Sequence, residues 1–447
     1  MGNNYYPILS PYISYSRLNE KVSLLTNLNC FSTKLINKYQ ASIIQMCNGK
    51  NSIDLIKLTL KNINSKIYSE KSIEKFINNM LQKGYLQVSP VQLNINISCL
   101  EPEIFINNNY FNPSQLHTIT ISITESCCMK CKHCSQSAPY GKGKEIPGTK
   151  IKSLLIDAYK LGARYFGVFG GEPLLHPNIY DIIQYAYRIG YKDVVIFTKG
   201  TLINSDKAKL LKSIGITRIQ VSCDSHIPSK YNKIVGHKEA FKEFYQGIFN
   251  LLSVGIHIQL KVVLTKQNID DAIQLIDFFT LNGITDIGFE VVVPVGRADF
   301  QSIPSSEKIY KLNNKIKDLK QSNIKRYQDI TFKYCEYGNV KNCAGGIGSI
   351  MIFADGTVSS CDKCYEYRDI VNFGNIFNNS LLDIWANGEF GKFRNLSNNL
   401  VCQECDKNLI CRGGCPLNSL IMTGKLSDCD VTCPKIGGKD HGILFVD

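Results

Sequence analysis

No segment of this chain is apolar for long enough to cross a bilayer as a helix, and its first residues lack the basic, apolar and small-residue blocks of a secretory signal. Both absences point to a cytoplasmic protein that does not engage a membrane. Met1-Gly2 is followed by Tyr6 where a myristoylation signal needs Ser or Thr, so a lipid anchor is not supported. There is no internal repeat and no long low-complexity tract, which sets aside solenoids and disordered arrays. Arginine is scarce beside lysine. The formal charge of +13 therefore fits a solvated surface or an acidic peptide partner as well as it fits nucleic acid. Cysteine, by contrast, is plentiful: the chain has 18. In a reducing compartment that number implies metal ligands rather than disulfides. The length of 447 residues allows two or three domains.

Three cysteines stand close together. Thr124-Glu-Ser-Cys-Cys-Met-Lys-Cys-Lys-His-Cys134 sets Cys127, Cys131 and Cys134 in a C-x3-C-x2-C run. Three thiolates can hold three irons of a four-iron cluster and leave the fourth iron open to a small molecule, whereas a fourth thiolate closes the site for electron storage. Cys128 offers a second register, Cys128-x2-Cys131-x2-Cys134, of ferredoxin type, but Ser135 and Gln136 follow instead of another Cys with its Pro. Structural zinc is the other reading. The triplet follows Ile119-Thr-Ile-Ser-Ile123, whose alternation predicts a strand. Downstream, Tyr165-Phe-Gly-Val-Phe169 predicts another strand and runs into Gly170-Gly171-Glu172-Pro173. The glycines there allow backbone carbonyls to approach a ligand, and the carboxylate can pair with an ammonium.

The C-x3-C-x2-C run and the Gly-Gly-Glu-Pro turn resemble the signature of the radical S-adenosylmethionine (SAM) enzymes. The resemblance implies an open iron on Cys127, Cys131 and Cys134 that binds the methionine end of SAM. It also implies that Gly170, Gly171, Glu172 and Pro173 hold the SAM amino group. Val194–Phe197, Arg218–Ser222, His257–Leu264 and Ile287–Val293 read as further strands. Lys150–Leu161, Ile179–Ile189, Ala240–Ser253 and Asp270–Leu281 read as helices between them. That order predicts an α/β fold with parallel strands and helical crossovers, and the family implies a partial (β/α)6 TIM-type barrel. In Ser222-Cys223-Asp224 the strand period puts Ser222 and Asp224 on one face and Cys223 on the other. Family members carry a Ser-x-Asp near SAM here, and Cys223 reads as a core thiol. Two departures stand out. Lys199 occupies a position where the family often has Asn, and Val235-Gly236 one where it often has Arg-Gly. Lys199 and Lys233 are both candidates for the cation that meets the SAM carboxylate.

The later cysteines also have a pattern. Cys343-x12-Gly356-x4-Cys361, Cys402-x2-Cys405-x5-Cys411-x3-Cys415 and Cys415-x17-Cys433 are similar to the SPASM extension of radical SAM peptide maturases, which holds two auxiliary four-iron clusters. By that resemblance Cys402, Cys405, Cys411 and Cys433 hold the outer cluster. Cys343, Cys361 and Cys415 hold the inner one, with Cys335 as the candidate fourth ligand. Cys364 and Cys429 are spare, and Cys30, Cys47 and Cys99 read as core thiols. The cofactor set implied is three [4Fe-4S] clusters and SAM.

In the first hundred residues, short strands over 5–32 precede helices expected at Thr33–Cys47, Ser52–Leu60 and Ser69–Leu81, and a strand at Gly84–Val88. Strands, three helices and a wing resemble the winged-helix leader-binding element of ribosomal-peptide modification systems, which takes a leader peptide as an added strand. A winged helix also binds DNA, but the third helix carries Glu70, Glu74, Asn78 and Asn79 and no Arg cluster. The domains expected are thus residues 1–100 for leader recognition, 101–116 as linker, 117–310 as the barrel and 311–447 as the SPASM domain. The resemblance implies an oxidoreductase that uses a 5′-deoxyadenosyl radical to modify a ribosomally made precursor peptide, most simply by joining a Cys sulfur to carbon as in sactipeptide maturases. A carbon–carbon cross-link or an epimerisation is the alternative chemistry, and a non-catalytic electron-transfer scaffold the alternative class. The expected partners are the precursor with its leader and an external flavodoxin or ferredoxin; nucleic acid and membrane are not expected.

Overall fold

The computed structural model describes residues 5–10, 13–17, 22–27, 32–90, 92, 116–322, 324–333, 345–346, 348–386, 390, 402, 404–405, 413–426, 428 and 430. The chain separates into two compact units. One is Met1–His117 with Trp385–Arg394; the other is Thr118–Ile384 with Asn395–Asp447. The expected linker falls almost wholly outside the described residues.

The first unit runs β1 (Tyr6–Leu9), β2 (Ile13–Arg17), β3 (Val22–Asn27), β4 (Ser32–Asn37), α1 (Lys38–Met46), α2 (Ile53–Ile63), α3 (Glu70–Gln82) and β5 (Leu86–Ser89). Strands β2, β3 and β4 form an antiparallel sheet with β3 in the middle, and β1 pairs antiparallel with β5. The helix expected from Thr33 is corrected here: residues 32–37 pair with β3, and the helix begins at Lys38. Asn37 sets the boundary. Its side chain accepts from the Tyr39 and Gln40 amides, while the Gln40 side chain accepts from the Asn37 amide. This capping box is worth about 1 kcal/mol and fixes where helical geometry can start. The apolar spacing that suggested a longer helix runs across the strand–helix junction. Ser52 and Ser69 cap α2 and α3 more simply, each side chain accepting from one amide, that of Leu55 and of Ser72. The buried sides of these helices, Ile44 on α1, Ile56 and Leu60 on α2, and Ile73, Ile77 and Met80 on α3, close on Leu25, Ile36 and Leu86 as one core. Each such side chain contributes roughly 1.5–3 kcal/mol on burial. Cys47 sits fully buried in that core.

The second unit alternates strand and helix. It runs β6 (Thr118–Thr124), α4 (Gly148–Lys160), β7 (Tyr165–Gly170), α5 (Ile179–Arg188), β8 (Asp193–Thr198), α6 (Ser205–Ser213) and β9 (Arg218–Ser222). Then come α7 (Pro228–Val235), α8 (Ala240–Ser253), β10 (His257–Leu264), α9 (Ala272–Leu281), β11 (Asp286–Val291), α10 (Ser306–Gln321) and β12 (Thr331–Lys333). The chain continues through β13 (Ser349–Ile352), β14 (Thr357–Ser359), β15 (Gly374–Asn375), α11 (Leu381–Ala386) and α12 (Pro416–Thr423). Strands β6 to β11 lie side by side in chain order, all parallel. The sheet stays open: β12 flanks β11, while β13 adds parallel to β6 and leads into antiparallel β14 and β15. This is the α/β architecture of parallel strands and helical crossovers that the periodicity implies, with the six successive strand–helix units that the family resemblance implies.

Alternation along the strands sorts the two faces. Val194, Ile196, Ile219, Val221, Ile258, Leu260 and Val262 form a fully buried row. The opposite face carries Asp193, Arg218, Lys261 and Glu290, paired across strands as Arg218–Asp193 and Lys261–Glu290, each with an N–O distance of 2.6 Å. No helix among the described residues is long and apolar enough to cross a membrane.

Gly247 shows how tightly α8 packs on the sheet. A Cβ there would lie 2.0 Å from the Gly200 carbonyl oxygen, in the turn that follows β8. Alanine in mid-helix ordinarily gains about 1 kcal/mol over glycine. Here the clash outweighs that gain, and Gly247→Ala is expected to destabilise the protein by roughly 1–3 kcal/mol. A lowered thermal midpoint checks this; an unchanged or raised midpoint contradicts it.

Candidate functional site

Parallel strands in chain order place all their C-terminal ends along one edge, where an α/β enzyme collects its chemistry. Each end here carries a residue of interest. The Cys127–Cys134 loop follows β6, Glu172 follows β7, and Lys199 follows β8. Asp224 follows β9, Thr265 follows β10 and Arg297 follows β11.

Neighbouring elements hold the cysteine loop from several sides. Cys127 exchanges backbone bonds with Gly141, at 3.2 Å from its N–H and 2.8 Å to its carbonyl. The Lys130 and Lys132 amides donate to Val235 and Ile234 at 2.8 and 3.0 Å. Arg297 donates from Nε to the Cys131 carbonyl at 2.7 Å and from Nη1 to Ala138 at 2.9 Å, and its amide donates to Cys134 at 3.0 Å. Cys127 and Cys131 are 7% and 8% exposed and Cys134 is half-buried. Burial pushes the Cys127 thiol up to about 12, with Cys131 and Cys128 adding like charge. Burial likewise raises Cys131, with Cys134 adding like charge. Thiols this dry become thiolates only beside an electropositive centre, which is what iron supplies. Cys128 turns elsewhere, its Sγ 3.9 Å from Thr201 Oγ1.

Among the described residues, no three His, Cys, Asp or Glu side chains are grouped so as to hold one metal ion. A tetrahedral zinc site needs sulfurs about 2.3 Å from one ion. A four-iron cluster instead takes each thiolate on a different iron and spaces them more widely.

The Gly-Gly-Glu-Pro turn differs in one respect from the sequence expectation. Its glycines are required by another strand. A Cβ on Gly170 would lie 2.4 Å from the Thr124 carbonyl, and one on Gly171 would lie 2.4 Å from the carbonyls of both Glu125 and Ser126. The Gly171 and Glu172 amides donate to Thr124 and Ser126 at 2.9 and 2.8 Å. The turn is thereby bonded directly to the start of the cysteine loop. Glu172 is 1% exposed. Its carboxylate accepts from the Thr198 hydroxyl at 2.8 Å, the Lys199 amide at 3.0 Å and the Leu174 amide at 3.2 Å. Burial raises its pKa, and these donors only partly offset that. Pro173 opens a short helical turn behind it.

Asp224 is fully buried. Lys199 Nζ lies 3.0 Å and His133 Nε2 3.3 Å from Oδ2, and the Val263 amide donates to Oδ1 at 3.2 Å. Burial alone would raise the Asp224 carboxyl, but Lys199 and then His133 hold it well below the usual carboxylate range. For Lys199, burial is outweighed by Asp224 first and then Cys131, so its ammonium persists far above ordinary pH. Of the two candidate cations, Lys199 therefore lies inside the site, and Lys233 is exposed. Ser222 is half-buried at the end of β9, while Cys223 is fully buried and donates from Sγ to the Ser225 carbonyl at 3.2 Å.

Beyond the barrel strands, Cys361 caps a short helical turn, and its Sγ lies 3.6 Å from that of buried Cys364. Cys415 caps α12, and its amide donates to Asp430 Oδ2 at 2.9 Å. Cys402 is buried and Cys405 half-buried. Cys335, Cys343, Cys411 and Cys433 lie outside the described residues. The residues that sequence reasoning missed are His133, Thr198, Arg297 and Asp430. His133 was legible as the aromatic inside the cysteine run. The other three carry no local signal.

A radical SAM superfamily model matches residues 121–279, and a model of the SPASM iron–sulfur cluster-binding domain matches residues 343–406. Curated relatives include an AdoMet-dependent heme synthase of Nitratidesulfovibrio vulgaris, 26% identical over 68% of this chain and 89% of that protein. A GTP 3′,8-cyclase of Aquifex aeolicus is 29% identical over 60% of this chain and 89% of its own. Among solved structures, Streptococcus suis SuiB bound to precursor peptide SuiA superposes with a TM-score of 0.70 at 18% identity, over 95% of this chain and 98% of that one. With a parallel sheet that brings a three-cysteine loop and a Gly-Gly-Glu-Pro turn to one edge, the chain carries a radical SAM domain and a SPASM iron–sulfur cluster-binding domain.

Proposed function

We propose that this protein is a peptide maturase, which modifies a ribosomally made precursor and joins Cys sulfur to carbon as a thioether. The supporting observation is the first unit. It is a three-stranded antiparallel sheet with β2 and β4 at its edges, followed by three helices. An edge strand offers unpaired backbone groups to an extended peptide. The likeness to SuiB, which was solved with its precursor peptide, spans 95% of the chain and so takes in most of this unit. The heme synthase and cyclase matches span 68% and 60%. In this reading residues 1–100 recognise the leader, 101–116 link, 117–310 form the barrel and 311–447 the SPASM domain.

In the same reading, Cys127, Cys131 and Cys134 hold the SAM-binding four-iron cluster. Cys402, Cys405, Cys411 and Cys433 hold one auxiliary cluster, and Cys343, Cys361, Cys415 and Cys335 the other, about twelve irons in all. Loaded, this set supplies a 5′-deoxyadenosyl radical, with an electron from an external flavodoxin or ferredoxin. The chain's own part is positioning. Glu172, dry and short of positive charge, suits the SAM ammonium. Lys199 has three donors and directs one at Asp224, which leaves others for the SAM carboxylate. Ser222 and Asp224 present polar atoms at the next strand end. Burial of Cys127, Cys131 and Glu172 keeps water from the reacting centre.

The triplet's role is isolated by changing Cys127, Cys131 and Cys134 together to Ala. SAM cleavage should be abolished while auxiliary iron and precursor binding persist. Continued 5′-deoxyadenosine release by this variant would refute the assignment. A non-catalytic scaffold would release none from the unsubstituted protein either.

Leader recognition predicts that the full chain binds the leader portion of its precursor, more weakly at high salt if its lysines contribute. Selective binding to duplex DNA with no peptide binding contradicts this.

The product should weigh about 2 Da less per link, because hydrogen abstraction plus one-electron oxidation joins two groups without adding atoms. The linked Cys should resist iodoacetamide. Loss of two hydrogens with every Cys still alkylated would indicate a carbon–carbon link, and an unchanged mass an epimer.

A further inference from the structure

On the polar face of the sheet, one group of charges has no part in the reading above. Lys261 on β10 and Glu290 on β11 meet on the polar face, Nζ to Oε2 at 2.6 Å. Lys363 brings its own Nζ onto the other oxygen of the same carboxylate. The three side chains are 15%, 18% and 28% exposed, and two ammonium groups thus share one acid away from bulk water. Charges in such places are costly to keep and are rare without a partner that needs them.

What Lys363 faces suggests that partner. It lies between Cys361 and Cys364 in a turn fixed by the Cys364 amide, which bonds to the Cys361 carbonyl at 3.2 Å. Cys364 is fully buried, with Ser360 Oγ 3.2 Å and Cys361 Sγ 3.6 Å from its sulfur. Burial lowers the Lys363 ammonium to about 8, and the charges of Cys415 and then Cys364 oppose that shift. Glu290 of the barrel therefore anchors a cation that the SPASM domain carries between two of its cysteines.

We propose that Lys363, held in place by Glu290, is a positioning residue that sets the reduction potential of the auxiliary cluster on Cys361 and Cys415. A fixed positive charge beside a metal–thiolate group stabilises the form that carries one more electron, and the Glu290 carboxylate moderates that effect. A cluster so placed accepts an electron more readily, as an enzyme that must oxidise a substrate radical requires. The inference rests on the reading of Cys361 and Cys415 as ligands of a four-iron cluster.

The test uses the full chain with Cys127, Cys131 and Cys134 changed to Ala, reconstituted anaerobically and titrated potentiometrically with EPR detection. Lys363→Met should move one auxiliary transition to lower potential, with a tenfold fall in the reduced-to-oxidised ratio at a fixed potential, which is about 59 mV for one electron. Lys363→Arg should restore it, and Glu290→Gln should move the same transition upward. Iron per chain should be equal in all four proteins. Unmoved transitions, or shifts of one sign in both Lys363→Met and Glu290→Gln, overturn the proposal. Equal iron loss in Lys363→Met and Lys363→Arg also overturns it, because it marks a packing role. Zinc or no reducible cluster in the background protein overturns the cluster reading itself, and it is seen before Lys363 is touched.

Discussion

The contact on which the site depends is the buried ion pair between Lys199 and Asp224. It ties the end of β8 to the end of β9, and through His133 it ties both to the cysteine loop after β6. Asp224 has no exposure and Lys199 little, so neither charge is stabilised by water. Removing one partner of such a pair typically costs 3–5 kcal/mol, because the other is left buried and alone. The Lys199 amide also holds Glu172. In the proposed reading, one residue thus fixes the acid for an ammonium and offers a cation for a carboxylate. An amino acid zwitterion is the kind of group that needs both at once.

Glycine performs the matching steric task. The Gly170–Gly171 backbone lies against Thr124, Glu125 and Ser126 so closely that no side chain fits between them. Glu172 and Cys127 are therefore set relative to each other by main-chain hydrogen bonds rather than by flexible side chains. Gly247 does the same from behind, letting α8 touch the turn that carries Lys199. Positioning through backbone contact matters here because small displacements at a reacting centre are expensive in rate.

What could be read from the sequence was what is local in it. The C-x3-C-x2-C loop, the Gly-Gly-Glu-Pro turn and the Ser-x-Asp strand end each lie within a few residues, and strand periodicity placed all three at strand ends. Contacts made through space were not legible. Arg297 bonds to the Cys131 carbonyl across 166 positions of sequence. Lys363 reaches Glu290 across the sheet, and Asp430 bonds to Cys415 from beyond α12. A single Arg, Lys or Asp in a polar loop carries no periodicity to mark it. The strand–helix boundary at Asn37 escaped for a related reason: apolar residues on β4 and α1 serve one core, and their combined spacing imitates a single helix.

The barrel alone does not choose the reaction. Its relatives include a heme synthase and a GTP cyclase, so one radical-generating scaffold serves unrelated substrates. Selection must come from what is added to it. At one end of the chain is a small sheet with edge strands to which an extended peptide can bond. At the other is a cysteine-rich domain that adds β13 to the barrel sheet and is joined to it again through Lys363 and Glu290. Under the proposed function, a substrate radical has one economical outcome: it loses an electron and closes a bond within the peptide. This pairing of additions, more than the radical chemistry, favours a cross-linked peptide over a rearranged nucleotide or porphyrin.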